Sequence, residues 1–145
     1  MLNRAFTLIE LLVVIAIIGF LASLVLLNTQ SARLQSHDAQ IQTSMYQLRN
    51  AADLSYGQGT ETYTAVCDEA DNTLSNSGDF GRLETAIKNE NNNQAVKCFE
   101  SADKAQFAAS SPVRAESGKS WCVESAGLST GLNCLAINSS RCQCP

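Results

Sequence analysis

From Phe6 to Leu27 the chain is almost continuously apolar, and its polar side chains there are Thr7, Glu10 and Ser23. As a helix this run spans about 33 Å, enough to cross a hydrocarbon core of about 30 Å. Beyond it the pattern changes character. Leu34, Ile41, Met45, Leu48, Ala52 and Ser55/Tyr56 recur at helical spacing among the polar Arg33, Gln35, Gln40, Gln42, Arg49 and Asp53. That is an amphipathic stripe suited to packing on a globular body. No proline falls between Phe6 and Tyr56, and Gly57-Gln58-Gly59 stops the pattern. The pattern predicts one helix over 6–56, about 76 Å long, far more than a globular domain needs.

The remaining pattern is shorter in period. Residues 57–78 are rich in Gly, Thr, Asn, Asp and Ser and read as loop, with one short strand expected over Thr62–Val66. Asp79 is placed to cap a second helix with Phe80, Leu83 and Ile87 on one face, and Asn89–Asn93 reads as a turn. Strands are expected over Ala95–Phe99 and over Gln106–Ser110, the latter ended by Pro112 or carried past it on an edge. Glu116–Lys119 turns the chain into Ser120–Glu124, the clearest strand, with Trp121 and Val123 on one face and Cys122 and Glu124 on the other. Gly127 and Gly131 are expected to flank a turn, and Leu132–Ile137 to form a last strand before a cysteine-bearing tail. The fold class expected is α+β: a long N-terminal helix packed against a small antiparallel sheet, with Trp121 in the core.

Charge and cysteine change the picture. The formal net charge of -4 lacks the basic footprint of a nucleic-acid binder. Six cysteines, all between Cys67 and Cys144, indicate an oxidising compartment for that end of the chain. Cys142-x-Cys144 is too close for the usual zinc pair and has no second pair, so disulfides are expected and no metal. Cys67 and Cys98 flank the loop and second helix and make an economical staple of about 3–4 kcal/mol. The remaining four pair in one of two ways, and Cys122–Cys144 with Cys134–Cys142 is the working expectation. Asp68-Glu69-Ala70-Asp71-Asn72 does not match the spacing of an EF-hand loop and reads as a solvated loop. His37, the only histidine, reads as a solvated residue beside Asp38. No phosphate loop or zinc-protease motif is present in the sequence, so neither an enzyme nor a cofactor is expected.

The flanks of the apolar run identify its type. A secretory signal has a shorter apolar region closed by a small-residue cleavage site. Here the small residue, Ala5, precedes the run, and Arg4 favours a cytoplasmic start. Ala5 followed by Phe6-Thr7-Leu8-Ile9-Glu10-Leu11 resembles the class III signal of type IV pilins and pseudopilins. A lone Glu inside an apolar helix is costly, which makes the motif specific. Ala5 stands where the family usually has Gly, and is small enough to be tolerated. The Pro that many relatives carry near Leu27 is missing, so no kink is expected there.

The resemblance implies a division into a leader (1–5), a transmembrane and filament-core helix (6–27), and an extracytoplasmic head (28–145) that includes the amphipathic helix half (28–56). It implies cleavage between Ala5 and Phe6 by prepilin peptidase, methylation of the Phe6 amine, and assembly through Phe6 and Glu10. Its implied partners are the membrane, the pilus assembly platform and other copies of the chain, in an extracellular filament. A stretch near Gly19 is often unwound in such filaments. Some pseudopilins hold Ca²⁺, which keeps Asp68–Asp71 of interest. Asn138-Ser139-Ser140 fits a glycosylation sequon, but the family is prokaryotic and the match short. The leading expectation is a structural pilus subunit. The alternatives are a type II secretion pseudopilin, and a minor pilin or membrane-anchored binding module.

Overall fold

The computed structural model describes residues 7–57, 61–125, 127–134, 136–138 and 141–143, with side chains at all of these except 26–28 and those beyond 125. Helix α1 runs Leu8–Tyr56. It contributes to two compact units, Met1–Arg33 and Leu34–Pro145.

In the first unit every side chain from Thr7 to Val25 is exposed. Val13, Val14, Ile15, Ile17 and Ile18 are β-branched and lose rotamer freedom in a helix. A helix nonetheless forms, because in an apolar medium it alone satisfies every peptide group within one segment. The hydroxyls follow the same rule. Ser23 donates to the Phe20 carbonyl at 2.7 Å and Thr29 to the Val25 carbonyl at 2.8 Å. Gly19 faces open space, so nothing inside the chain demands a glycine there.

The second unit is the head. Six strands form one antiparallel sheet in chain order: β1 (Cys67–Asp68), β2 (Thr73–Leu74), β3 (Lys97–Glu100), β4 (Phe107–Pro112), β5 (Ser120–Glu124) and β6 (Gly127–Cys134). Helix α2 (Gly78–Glu90) joins β2 to β3, and β7 (Ala136–Asn138) pairs with β8 (Arg141–Gln143) in a separate hairpin. Ile41, Met45, Leu48 and Ala52 of α1 are fully buried against Leu74, Ile87, Cys98, Phe107, Ala109 and Val123. The fold is thus the expected α+β, pilin-like arrangement of a long helix on a small antiparallel sheet. Trp121 is buried in this core, edge-on to Tyr46 at 6.1 Å between ring centres. The strand alternation holds: Trp121 and Val123 join the helix-facing core, while Cys122 packs with Ala108 and Phe99 on the opposite face. The β7–β8 hairpin lies against β3, β4 and β5.

A disulfide joins Cys67 on β1 to Cys98 on β3, with Cα atoms 5.3 Å apart across 31 positions. It ties down two strands of two residues each, which bury too little to hold themselves. Gly81 on α2 is required by close approach: a Cβ there would lie 2.4 Å from the Asn76 carbonyl oxygen. Gly118 turns the chain between β4 and β5 at φ +82°, a left-handed conformation that favours glycine.

Four local expectations are corrected. Thr62–Val66 is not a strand. The Val66 N–H closes a turn on the Tyr63 carbonyl, and the Tyr63 N–H reaches across to the Lys104 carbonyl. The α2 N-cap is Ser77, in extended conformation, which puts Asp79 inside the first turn, paired with Arg82. The asparagine run is more than a turn. Asn91 ends α2 and is buried, donating to the Gln94 carbonyl and to Ser111 Oγ, both at 2.9 Å, while its Oδ1 accepts the Gln94 N–H. Lastly, Gly127 and Gly131 do not bracket a turn but lie within β6, where Gly131 sits opposite Cys122. The irregular pairing of β5 with β6 there suits residues without side chains. Pro112 ends β4 opposite Ser120, beyond the last β3 residue, so its missing N–H breaks no β3 bond.

Candidate functional site

The candidate site is the N-terminal turn of α1 and the apolar surface behind it. Thr7 stands just before the helix, and Glu10 is the acid of its first turn. The Thr7 N–H donates to Glu10 Oε2 at 2.9 Å, and the Thr7 hydroxyl donates to the same oxygen at 2.7 Å. In return the Glu10 N–H reaches Thr7 Oγ1 at 3.3 Å. This is a capping box, in which the residue before the helix and the third residue within it satisfy each other's free donors. Its T-x-x-E spacing, Thr7 to Glu10, stands in the sequence ahead of an apolar run. Glu10 is the only ionisable residue between Thr7 and Ala32.

Behind this turn lies a helix surface with no internal partner. Leu8 is 80 % exposed and Phe20 65 %. A soluble monomer does not leave so long an apolar surface in water. The segment is long and apolar enough to cross a membrane, and none of it is buried within the chain.

Ala5, Phe6 and Cys144 lie outside the described residues, so the expected cleavage and methylation positions do too. Cys122 is disulfide-bonded, and its partner sulfur also lies outside them, as do the side chains of Cys134 and Cys142. The expected pairing of these four is therefore not described. The Cys67–Cys98 bond is the one whose geometry is described.

The head corrects the reading of His37 and Asp38. His37 is half-buried and partnered, not a free solvated side chain: its Nδ1 lies 2.5 Å from Glu90 Oε2. Asp38 accepts the backbone N–H groups of Arg114 and Ala115 at 2.6 and 2.9 Å. The Arg114 guanidinium closes the ring on the Glu90 carbonyl at 3.3 Å. Three elements meet here: α1, the end of α2 and the chain leaving β4.

The acidic stretch Asp68–Asn72 forms the tip of the β1–β2 hairpin, and its carboxylates are engaged. Asp68 accepts the Ala70 N–H, and Asp71 accepts both the N–H and hydroxyl of Thr73. Glu69 pairs with Lys104, whose ammonium also meets Glu100 at 3.0 Å. Burial pushes the Glu100 carboxyl above its ordinary range, against the pull of the Cys67 and Val66 N–H groups. Among the described residues no group of three His, Cys, Asp or Glu is placed to hold a metal ion.

No curated protein and no solved structure matches the chain. Residues 1–26 match the family model of the prokaryotic N-terminal methylation motif. The match takes in Thr7, Glu10 and most of the exposed apolar surface, and leaves the head unassigned. The capped start, lone acid and unpartnered apolar helix agree with that match: residues 1–26 carry the prokaryotic N-terminal methylation motif, the class III signal of the type IV pilin family.

Proposed function

We propose that this chain is the structural subunit of a type IV pilus or pilus-like filament. The observation that carries the reading is the apolar α1 surface from Leu8 to Val25, exposed along its whole length and interrupted by one acid in its first turn. The chain enters the cytoplasmic membrane as a prepilin with residues 28–145 outside. Prepilin peptidase removes residues 1–5, and the new Phe6 amine is methylated. An assembly platform then moves the subunit from lipid into a helical polymer, where residues 6–27 form the core.

Physical chemistry assigns the parts. In water, burying each Leu, Ile, Val or Phe contributes about 1.5–3 kcal/mol. In lipid that gain is largely absent, because acyl tails are as apolar as leucine. Apolar contact therefore does not select one register over another. Charge does. An unpaired carboxylate at the centre of a span costs about 2.5–3.5 kcal/mol on insertion scales. The Phe6 amine of one subunit, placed against the Glu10 carboxylate of the next, neutralises two charges together, whereas a slipped register leaves both buried and alone.

Glu10→Gln and Glu10→Ala are thus expected to be inserted and cleaved as the parent is, yet to assemble poorly, with Glu10→Asp intermediate. Filaments of parental number from Glu10→Gln would overturn the role of the charge. Parental recovery in sheared extracellular fibres favours a pilus over a secretion pseudopilin, which uses the same core chemistry.

A further inference from the structure

We infer that the Cys67–Cys98 bond is a redox-sensitive switch of the head, reached by a small dithiol through the cavity beside it and guarded by a Lys104 bridge across that cavity.

The cavity holds about 280 Å³. The β1–β2 hairpin lines one side with Cys67, Glu69 and Asn72, and β3 with the loop after it lines the other with Cys98, Glu100 and Lys104. Both halves of the disulfide border it, yet Cys67 is only 8 % exposed and Cys98 is fully buried. A reductant therefore needs the two walls to part. Lys104 holds them together: its ammonium pairs with Glu69 on the hairpin and meets Glu100 on β3 at 3.0 Å. Glu100 in turn accepts the Cys67 N–H at 2.8 Å.

The backbone of Lys104 is fixed as well. It stands at φ +58°, a left-handed conformation that side chains rarely adopt and that persists only where the surroundings impose it. Here its N–H donates to the Ser101 carbonyl and its own carbonyl accepts the Tyr63 N–H, both at 2.9 Å. The hairpin, by contrast, is weakly built. β1 and β2 have two residues each, and β2 meets β3 at the pair Thr73–Lys97. Such a segment opens locally at a lower free energy than the core around it.

In the open form a thiolate of the dithiol attacks Sγ of Cys67. The S–S bond breaks as a mixed disulfide forms, and Cys98 leaves as a thiolate. The second thiol closes on the mixed disulfide and releases the Cys67 thiolate. The two cysteines take up the two protons that the dithiol gave up, and the reductant ends as a disulfide. The hairpin then loses its staple, while Ile41, Met45 and Leu48 stay packed against Phe107, Ala109 and Val123.

The test is the rate at which dithiothreitol reduces this bond in the processed full-length chain in detergent, at about pH 8, where thiolate is available. Alkylation and mass spectrometry read Cys67 and Cys98 separately from the other cysteines. Attack through a local opening leaves the rate nearly independent of urea below the unfolding transition, whereas attack through global unfolding makes it rise with the full unfolding slope. The first result is expected, and the second overturns the switch. Glu69→Gln cuts the bridge at its exposed end, where an ion pair corresponds to no more than about fivefold, and is expected to speed reduction about threefold. Lys104→Met removes both arms and is expected to speed it about tenfold, the weight of a hydrogen bond to a charged group. Unchanged rates in both variants overturn the guarding role. Should Lys104→Met lower the urea midpoint, Glu69→Gln decides, because its side chain is 70 % exposed. After reduction, amide exchange is expected to quicken over residues 67–74 and to stay slow at Ile41, Met45 and Leu48. Protection lost throughout the head would mean that reduction unfolds it and switches nothing.

Discussion

The carboxylate of Asp38 on α1 accepts the backbone N–H of Arg114 at 2.6 Å, across 76 positions of sequence. The same group takes the Ala115 N–H at 2.9 Å, so one side chain clips the chain leaving β4 to the long helix. Asp38→Ala leaves both N–H groups without this partner, and charged hydrogen bonds contribute about 1.5–3 kcal/mol each. We expect a loss of about 2 kcal/mol in the head, with faster amide exchange at residues 114 and 115. His37→Gln is expected to cost less than about 1 kcal/mol, since the His37–Glu90 pair is partly exposed. Equal losses from the two substitutions would show that the clip is not where the docking energy lies. Urea midpoints of the processed protein in detergent, at unchanged slope, give the comparison.

Asn91 offers a second, independent check of how the head is closed. Its side chain makes three hydrogen bonds inside the protein, joining the end of α2 to Ser111 on β4. Asn91→Leu fills similar space but leaves the Gln94 N–H and carbonyl without these partners, which costs about 1–3 kcal/mol for each group stranded. A destabilisation of at least about 2 kcal/mol is expected from thermal unfolding. A neutral effect would mean that water enters this corner freely.

Glu100 gives the head a pH dependence of known sign. Its carboxyl is pushed up, chiefly by burial, so the folded protein holds the proton to a higher pH than the unfolded chain does. That contribution is fully present below the unfolded Glu value of about 4.3 and is lost as pH rises through the folded value. Glu100→Gln cannot ionise. Relative to the parent, its stability should therefore improve as pH rises from about 4.3 through the raised folded value, read as a shift in the difference of urea midpoints. A difference that moves the other way would mean that pairing with Lys104 outweighs desolvation.

The Cys67–Cys98 bond closes a segment of 31 positions that contains β2 and α2. On the loop-entropy account it contributes about 3–4 kcal/mol. Replacing both cysteines by alanine should lower the melting temperature of the head by well over 5 °C, given that about 1 kcal/mol corresponds to about 4–8 °C in a domain of this size. A shift of under 2 °C would place the holding force of β1 and β2 elsewhere.

Much of this fold was legible because it is periodic. The buried Ile41, Met45, Leu48 and Ala52 keep helical spacing, and Trp121, Cys122 and Val123 alternate across β5. The lone Glu10 in an apolar run and the Ala5–Phe6 junction point to the same N-terminal signal that the family model matches. What was hidden is what carries no period. β1 and β2 are two residues each and exist because a disulfide and β3 hold them. His37 and Asp38 look like solvated helix residues until their partners, 53 to 77 positions away, arrive beside them. Asn91 sits in an asparagine-rich stretch whose composition says turn, and only tertiary packing makes one of its members a buried junction. Gly127 and Gly131 signal a turn locally, and pairing with β5 overrides that signal.

The most direct test of filament assembly through the N-terminal helix is the mass of the chain recovered from sheared extracellular fibres. The account predicts a polymerised chain that begins at Phe6 with a methylated amine and carries residues 6–145 whole. A fibre chain beginning at Met1, a chain cut after Ser23, or fibres that lack this protein while it remains in the membrane would contradict it.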